Sequence, residues 1–225
     1  MGAEVSLTVV IPVYNHLADT LLTLDTLAAT TMCDVIVVDD GSTDDTRHAL
    51  DAKYLTYIAN EKNLGVNASW NVGIRAAIAA GATYICVANN DLAFSPGWWR
   101  PLKRALDNGA SVVSPYSTIW QLPDDWPLGG ERRTNPCSSA MDILGSCFAF
   151  RASLIQRIGY FPEDMRHYYG DNWLQEVCRR EGLVATHVRD SYVHHFGMHT
   201  TAELPGSQLE ADRLAYEDYK RRTWR

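Results

Sequence analysis

The chain has 225 residues, 46% of them hydrophobic and 21% charged, with a formal net charge of -7. Those values fit one soluble α/β domain, alone or with a C-terminal extension, and argue against a large non-specific nucleic-acid surface, leaving room only for a local basic patch such as Lys220-Arg221-Arg222. Five widely spaced cysteines (Cys33, Cys86, Cys137, Cys147, Cys178) without a C-x-x-C pair, no run near the roughly 20 apolar residues of a membrane span, and no signal-peptide layout predict a cytoplasmic protein with reduced thiols.

Residues 7–11 form a short β-branched apolar run stopped by Pro12, the profile of a buried parallel strand. A helix is expected over about 19–29, where Leu21, Leu22, Leu24 and Leu27 share a face, and a strand over 35–38. Residues 43–52 predict a helix whose start is rich in hydroxyls and carboxylates, as N-termini prefer. A strand over 55–58, a helix over 66–80 closed by Gly81 and a strand over 84–88 follow. Next come a helix from Pro96 to about Leu106 and a strand over 111–113. Such alternation calls for a doubly wound parallel sheet with right-handed crossovers. Residues 117–139 are rich in Pro, Gly and Trp and lack any period, as functional loops do. The rest predicts a strand within 143–150, helices over 153–158 and 171–180, strands over 184–188 and 192–195, and a charged helix over about 207–222.

Two strands end in carboxylates. Val37-Val38-Asp39-Asp40-Gly41-Ser42 and Val87-Ala88-Asn89-Asn90-Asp91 put acids at the C-terminal edge of one parallel sheet, where open α/β sheets bind ligands. Asp39 and Asp40 could accept hydrogen bonds from a base imide and a ribose hydroxyl, or only cap the next helix. Asn89-Asn90-Asp91 could hold a hard divalent cation that completes its shell with a diphosphate, or form an Asx-rich turn. Tyr14, just past the first strand, is either a stacking ring for a base or a loop tyrosine. Gly65, in Asn63-Leu64-Gly65, permits positive φ or close approach ahead of a helix N-terminus, a natural anion site. In Val193-His194-His195-Phe196-Gly197-Met198-His199, adjacent histidines on a strand point to opposite faces, so only one of His194 and His195 can serve a given site. Asp171, after Gly170, is either an N-cap or a general base aimed into a cleft.

In their order these motifs resemble glycosyltransferase family 2, nucleotide-sugar-dependent enzymes of the GT-A fold, over about residues 7–200. The resemblance rests on Val9-Val10-Ile11-Pro12-Val13-Tyr14-Asn15, on Val37-Val38-Asp39-Asp40-Gly41-Ser42-Thr43-Asp44, and on Asn63-Leu64-Gly65 with Asn71 and Gly73. It implies a doubly wound mixed sheet with helices on both faces and a C-terminal helical extension. The single domain would comprise a nucleotide-sugar-binding half (1–115), an acceptor and catalytic half (116–205) and a terminal helix (206–225). Pro12, Tyr14, Asp39, Asp40, Asn63, Asn89 and Asn90 would bind the nucleotide sugar, with Tyr14 and Asp40 on the base. Asn89-Asn90-Asp91 stands in place of the family's Asp-x-Asp motif, so Asp91 would be the main ligand of Mn²⁺ or Mg²⁺. His195, or His194 if the register is off by one, would complete the metal site, with Thr200 in the same segment. Asp171 falls where the family carries its base, and Gly145-Ser146-Cys147 resembles its acceptor-side strand.

Three departures stand out: Asn89 replaces the usual first Asp, Asp171 lies between Gly170 and Asn172 rather than in a Glu-Asp pair, and Trp70 stands where a basic or polar residue is frequent. The implied reaction is metal-dependent inverting transfer from a nucleoside-diphosphate sugar, a UDP-sugar foremost, to a hydroxyl on a glycan, a protein or a modified nucleic-acid base. Trp98, Trp99, Trp120 and Trp126 are candidates for stacking on an acceptor, the first two being core residues otherwise. A sugar-1-phosphate nucleotidyltransferase is a rival, though Pro12-Val13-Tyr14-Asn15-His16 replaces the Gly-rich, Arg/Lys-containing loop expected of one. A non-catalytic nucleotide-sugar or glycan-binding module is the rival of a different class.

Overall fold

A computed structural model describes residues 6–52, 57–117, 143–197 and 205–224. Among the described residues, eight strands form one mixed sheet: β1 (Leu7–Val13), β2 (Asp34–Asp39), β3 (Tyr57–Ala59), β4 (Tyr84–Ala88), β5 (Leu92–Phe94), β6 (Val112–Tyr116), β7 (Cys147–Arg151) and β8 (Ala185–His195). Their order is β3-β2-β1-β4-β7-β6-β8-β5. The helices are α1 (Leu17–Thr30), α2 (Thr46–Ala52), α3 (Val66–Ala79), α4 (Trp99–Asp107), α5 (Ser153–Ile158), α6 (Gly170–Arg180) and α7 (Gly206–Thr223).

Strands β1 to β4 pair in parallel, as the buried apolar runs dictate, and apolar clusters cover both faces. Val9, Ile11 and Val37 face α1 and α4, and Val10, Ile85 and Val87 face α3 and α6. Gly73 lets α3 lie directly on the sheet, since a Cβ there would meet Val10 Cγ1 at 2.2 Å. β1 runs through Pro12 to Val13, two residues past the expected stop. Proline is tolerated because pairing with β4 has already ended at Val10↔Val87, so no ladder bond needs its missing N–H.

The second half departs from a purely parallel sheet. β7 runs antiparallel to both β4 and β6, while β8 is parallel to β6. Strand starts and ends therefore alternate in a useful way: the C-terminal ends of β1, β2, β4 and β8 and the N-terminal end of β7 all reach one edge. The strands expected over 184–188 and 192–195 are one strand. Its register slips between Pro115↔Val188 and Tyr116↔Tyr192, so the polar residues 189–191 bulge out without ending it. β5 is an addition, too short for sequence periodicity to reveal; it pairs back on β8 with Leu92 opposite His195.

Helix α4 starts at Trp99, after a turn closed by the Trp98 N–H on the Ser95 carbonyl at 3.2 Å. Trp98 is 1% exposed and packs on Phe94, and Trp99 packs on Tyr84, so both belong to the core rather than to an acceptor platform. α7 closes over α6 through aromatic contacts, Tyr219 on Trp173 and Tyr216 on Tyr169. No helix among the described residues is long and apolar enough to cross a membrane.

Candidate active site

The shared strand edge opens into a cleft of about 520 Å³. Its walls include Pro12 and Tyr14 from the end of β1, Asp40 after β2, and Asn63 before α3. Asn89, Asn90 and Asp91 follow β4, Gly145 and Ser146 precede β7, Asp171 opens α6, and His195 ends β8. Carboxylates 40, 91 and 171, far apart in sequence, thus line one cavity.

Adjacent acids at the end of β2 take opposite directions, as strand alternation requires. Asp40 turns to the cleft. Its Oδ1 accepts the Asn60 amide at 2.8 Å and the Leu64 N–H at 2.9 Å, and its Oδ2 accepts the Gly65 N–H at 2.9 Å. Asp39, expected among the nucleotide-sugar ligands, is fully buried and absent from the cleft wall. One oxygen accepts the Ser42 N–H at 2.9 Å and the other the Arg47 Nε at 2.7 Å. That carboxylate holds the β2–α2 turn together. Arg47 escaped the sequence reading because a lone arginine on a short exposed helix carries no signal.

Asn90 lines the cleft, but its carboxamide donates to the Thr20 hydroxyl at 2.9 Å, and its carbonyl lies 2.8 Å from the Thr23 hydroxyl. Thr20 and Thr23, buried on α1, thereby fix the turn that presents Asp91. Asn89 is pinned by its N–H to the Ser146 carbonyl at 2.8 Å, which leaves its side chain on the wall.

Asp91 and His195 meet because of strand register. Leu92 pairs with His195, and the Phe196 N–H donates to the Asp91 carbonyl at 3.0 Å, so His195 Nε2 lies 3.1 Å from Asp91 Oδ2. Asp91 Oδ1 is buried without a hydrogen-bond partner. An orphaned carboxylate oxygen beside an imidazole nitrogen and a carboxamide suits a divalent cation, and leaving it unsatisfied would be costly. Among the described residues no group of three or more His, Cys, Asp or Glu is suited to a metal, so substrate or water oxygens would complete the shell. His194 takes the other face, lying 3.0 Å from the Tyr192 hydroxyl and edge-on to Phe196. The register thus sets His195, and not His194, beside Asp91.

Asp171 stands across the cleft at the start of α6. Tyr169 before it adopts φ 66, and Gly170 is needed because a Cβ there would meet Asn67 Oδ1 at 2.3 Å. Gly145 is equally constrained: its Cβ would lie 2.8 Å from Asp171 Oδ2. Burial pushes the Asp171 carboxyl above its ordinary value, partly offset by backbone N–H groups of Asn172, Asp171 and Gly145. Oδ1 accepts the Asn172 N–H at 2.8 Å. A carboxylate so placed can take a proton from a hydroxyl entering the cleft.

Trp70 is buried, edge-on to Phe148 and Phe161, and lends apolar surface to the cleft rather than a phosphate contact. Sequence reading missed His167, whose imidazole is kept below its ordinary value by burial and the Arg166 charge, and Leu209 of α7, both on the wall. Trp120, Trp126, His199 and Thr200 lie outside the described residues.

Known proteins share this architecture. Chondroitin synthase of Escherichia coli is 26% identical over 93% of this chain, which spans 36% of that relative. A crystal structure of GalNAc-T7 with UDP, GalNAc and Mn²⁺ superposes with a TM-score of 0.70 at 14% identity, over 87% of this chain and 44% of that one. The mannosyltransferase PcManGT of Pyrobaculum calidifontis, solved with GDP-Man and Mn²⁺, gives 0.66 at 20% identity, over 86% and 57%. TarS 1-349 of S. aureus with UDP gives 0.64 at 19% identity, over 84% and 60%. The fold is GT-A. Residues 8–159 match glycosyl transferase family 2, and the chain belongs to that family.

Proposed function

We propose that this domain is an inverting glycosyltransferase that moves a sugar from a uridine-diphosphate sugar to a glycan hydroxyl, with Mn²⁺ or Mg²⁺ at the diphosphate. The observation that carries this reading is the meeting of Asp40, Asp91 and Asp171 on one cleft at one sheet edge. Residues 1–115 would supply the donor half and the later segments the acceptor side. The structures of GalNAc-T7 and TarS, both solved with UDP, support uridine as the base.

Pro12, Tyr14, Asp40 and Asn63 would frame the nucleoside. Asp40 Oδ2 accepts one hydrogen bond within the protein, so a lone pair remains for a base N–H. Asp91 and His195 would hold the cation, with the Asn89 carboxamide beside them. Bound there, the ion supplies positive charge to the departing diphosphate. Among the described cleft residues there is no lysine or arginine to do so instead.

Of the three carboxylates, only Asp171 is without a side-chain partner or a metal role. As the acceptor oxygen attacks the anomeric carbon and the bond to the diphosphate breaks, Asp171 would take the hydroxyl proton. One base and no second free carboxylate among the described cleft residues support a single displacement, hence inversion. Tyr168, Tyr169, Trp70 and Leu144 offer aromatic and apolar surface near Asp171, which suits a sugar ring. A phosphate-rich nucleic acid would need cations there.

A donor screen tests the reading: UDP-, GDP-, dTDP- and CMP-sugars with Mn²⁺ or Mg²⁺, followed by nucleotide release. UDP release that requires the metal is expected. Saturable UDP binding without turnover on any donor would leave a binding module instead, and pyrophosphate release from a nucleoside triphosphate would point to a nucleotidyltransferase.

A further inference from the structure

Helix α7 follows the family match, which ends at residue 159, yet it reaches the cleft. Its surface is charged and mostly exposed, with one exception. Asp212 is 1% exposed, and its carboxylate points away from solvent. Oδ1 accepts the Gln208 amide at 2.7 Å and the Arg166 N–H at 3.1 Å. Oδ2 accepts the His167 N–H at 2.7 Å and the Tyr168 N–H at 2.9 Å. Three successive backbone donors thus converge on one side chain, and His167 and Tyr168 are cleft residues.

The same segment ties back to the opposite end of the cleft. The Arg166 guanidinium donates to the Asn63 carbonyl at 2.8 Å and to the Leu64 carbonyl at 3.3 Å. Asp40 holds the neighbouring Leu64 and Gly65 N–H groups. Gly65, at φ +100, leaves room for the Arg166 carbonyl, which a Cβ would meet at 2.6 Å. On the other side of Tyr168, Tyr169 sits in the left-handed region at φ 66, stacked on Tyr216 of α7 with centroids 5.3 Å apart. Such a backbone persists only where its surroundings hold it. Two residues later stands Asp171.

We propose that Asp212 is a positioning residue of this site: by gripping residues 166–168, the terminal helix sets where Tyr168, Tyr169 and Asp171 stand, and so governs turnover rather than donor affinity. The inference rests on the glycosyl-transfer reading above. Docking of α7 does not itself need this carboxylate, because Tyr216, Tyr219 and Trp224 already bind the helix to α6 and its approach. The buried charge serves the cleft wall.

Asp212→Asn keeps the size of the side chain but replaces one accepting oxygen with an amide that cannot accept. Four readouts on the full chain test it: transfer kcat, donor KM, UDP dissociation constant by calorimetry, and amide exchange over residues 165–172. A kcat lower by about 10- to 100-fold is expected, the scale on which displacements up to about 1 Å act. Donor KM and UDP affinity should stay within about twofold, the signature of an interaction that acts on turnover. Exchange at 166–168 should quicken. If Asp212→Asn fails to fold, Gln208→Ala removes one partner of the same carboxylate and should lower kcat in the same direction, by less. Unchanged kcat with quickened exchange would overturn the proposal, as would a loss of UDP affinity that accounts for the lost turnover. A wild type silent toward every donor sinks the transfer reading instead. Amide exchange then decides alone, unchanged protection at 166–168 in Asp212→Asn refuting the grip and lost protection supporting it.

Discussion

Gly145→Ala tests how finely Asp171 is placed. The backbone at 145 is outside the left-handed region, so alanine introduces no conformational strain, only a methyl group. That methyl would lie 2.8 Å from Asp171 Oδ2 and 3.1 Å from its Cγ, against about 3.4 Å for ordinary contact. The carboxylate must therefore retreat by about 0.6 Å, the shortfall in the first distance. If about 1 Å of misplacement costs roughly 100-fold, that retreat lowers kcat by about tenfold, or ~1.4 kcal/mol of barrier. Steady-state transfer with saturating acceptor, alongside UDP calorimetry, separates the effects: kcat should fall while UDP affinity holds. Full kcat in a folded Gly145→Ala protein would show that turnover does not depend on where Asp171 stands, since the clash is with the proposed base itself.

Asp171→Asn should lower transfer by orders of magnitude with UDP binding intact; equal turnover would remove Asp171 from the role. Its carboxyl is raised by burial, so the ionised base is lost, and kcat/KM falls, as pH drops through a value above the ordinary carboxylate range. Stability runs the other way, since the fold binds this proton more tightly than the unfolded chain and loses stability as pH rises through that value. Asp171→Asn should accordingly melt no lower than wild type at neutral pH, and a lower melting temperature would contradict the burial argument. His195→Ala should weaken Mn²⁺-dependent UDP binding while His194→Ala leaves it unchanged; the reverse would place His194 at the metal instead. Asp39→Asn should lower the melting temperature by several degrees, through the lost Arg47 pairing, and spare UDP affinity. Weakened UDP binding at an unchanged melting temperature would return Asp39 to the nucleotide site.

Much of the first half of the sheet was legible because buried parallel strands leave an unmistakable trace: apolar β-branched runs that stop at Asp39-Asp40 and at Asn89-Asn90-Asp91. The order of those motifs, more than any one of them, carried the fold. Where sequence reading fell short, a specific competing interaction prevailed. Strand alternation separates Asp39 and Asp40 as it separates His194 and His195, and it turns Asp39 toward Arg47. Asn90 lines the cleft as expected, but two threonines of α1 that no motif flags hold its side-chain NH2 and its backbone carbonyl. The bulge over residues 189–191 looked like a strand break because Arg189, Asp190 and Ser191 are polar. Asp212 gave no signal, since one acid among the many charges of a terminal helix reads as solvent-facing. Only the contact of that helix with residues 166–168 reveals it as buried.

One cation held by Asp91 and His195 would join the protein to a nucleoside diphosphate. Crystals grown with UDP and Mn²⁺, measured for manganese anomalous scattering, test it most directly. A single peak is expected within coordinating distance of Asp91 Oδ1 and of the diphosphate oxygens, with the uracil beside Tyr14 and Asp40. Manganese elsewhere, or UDP bound with no metal near Asp91, would contradict it.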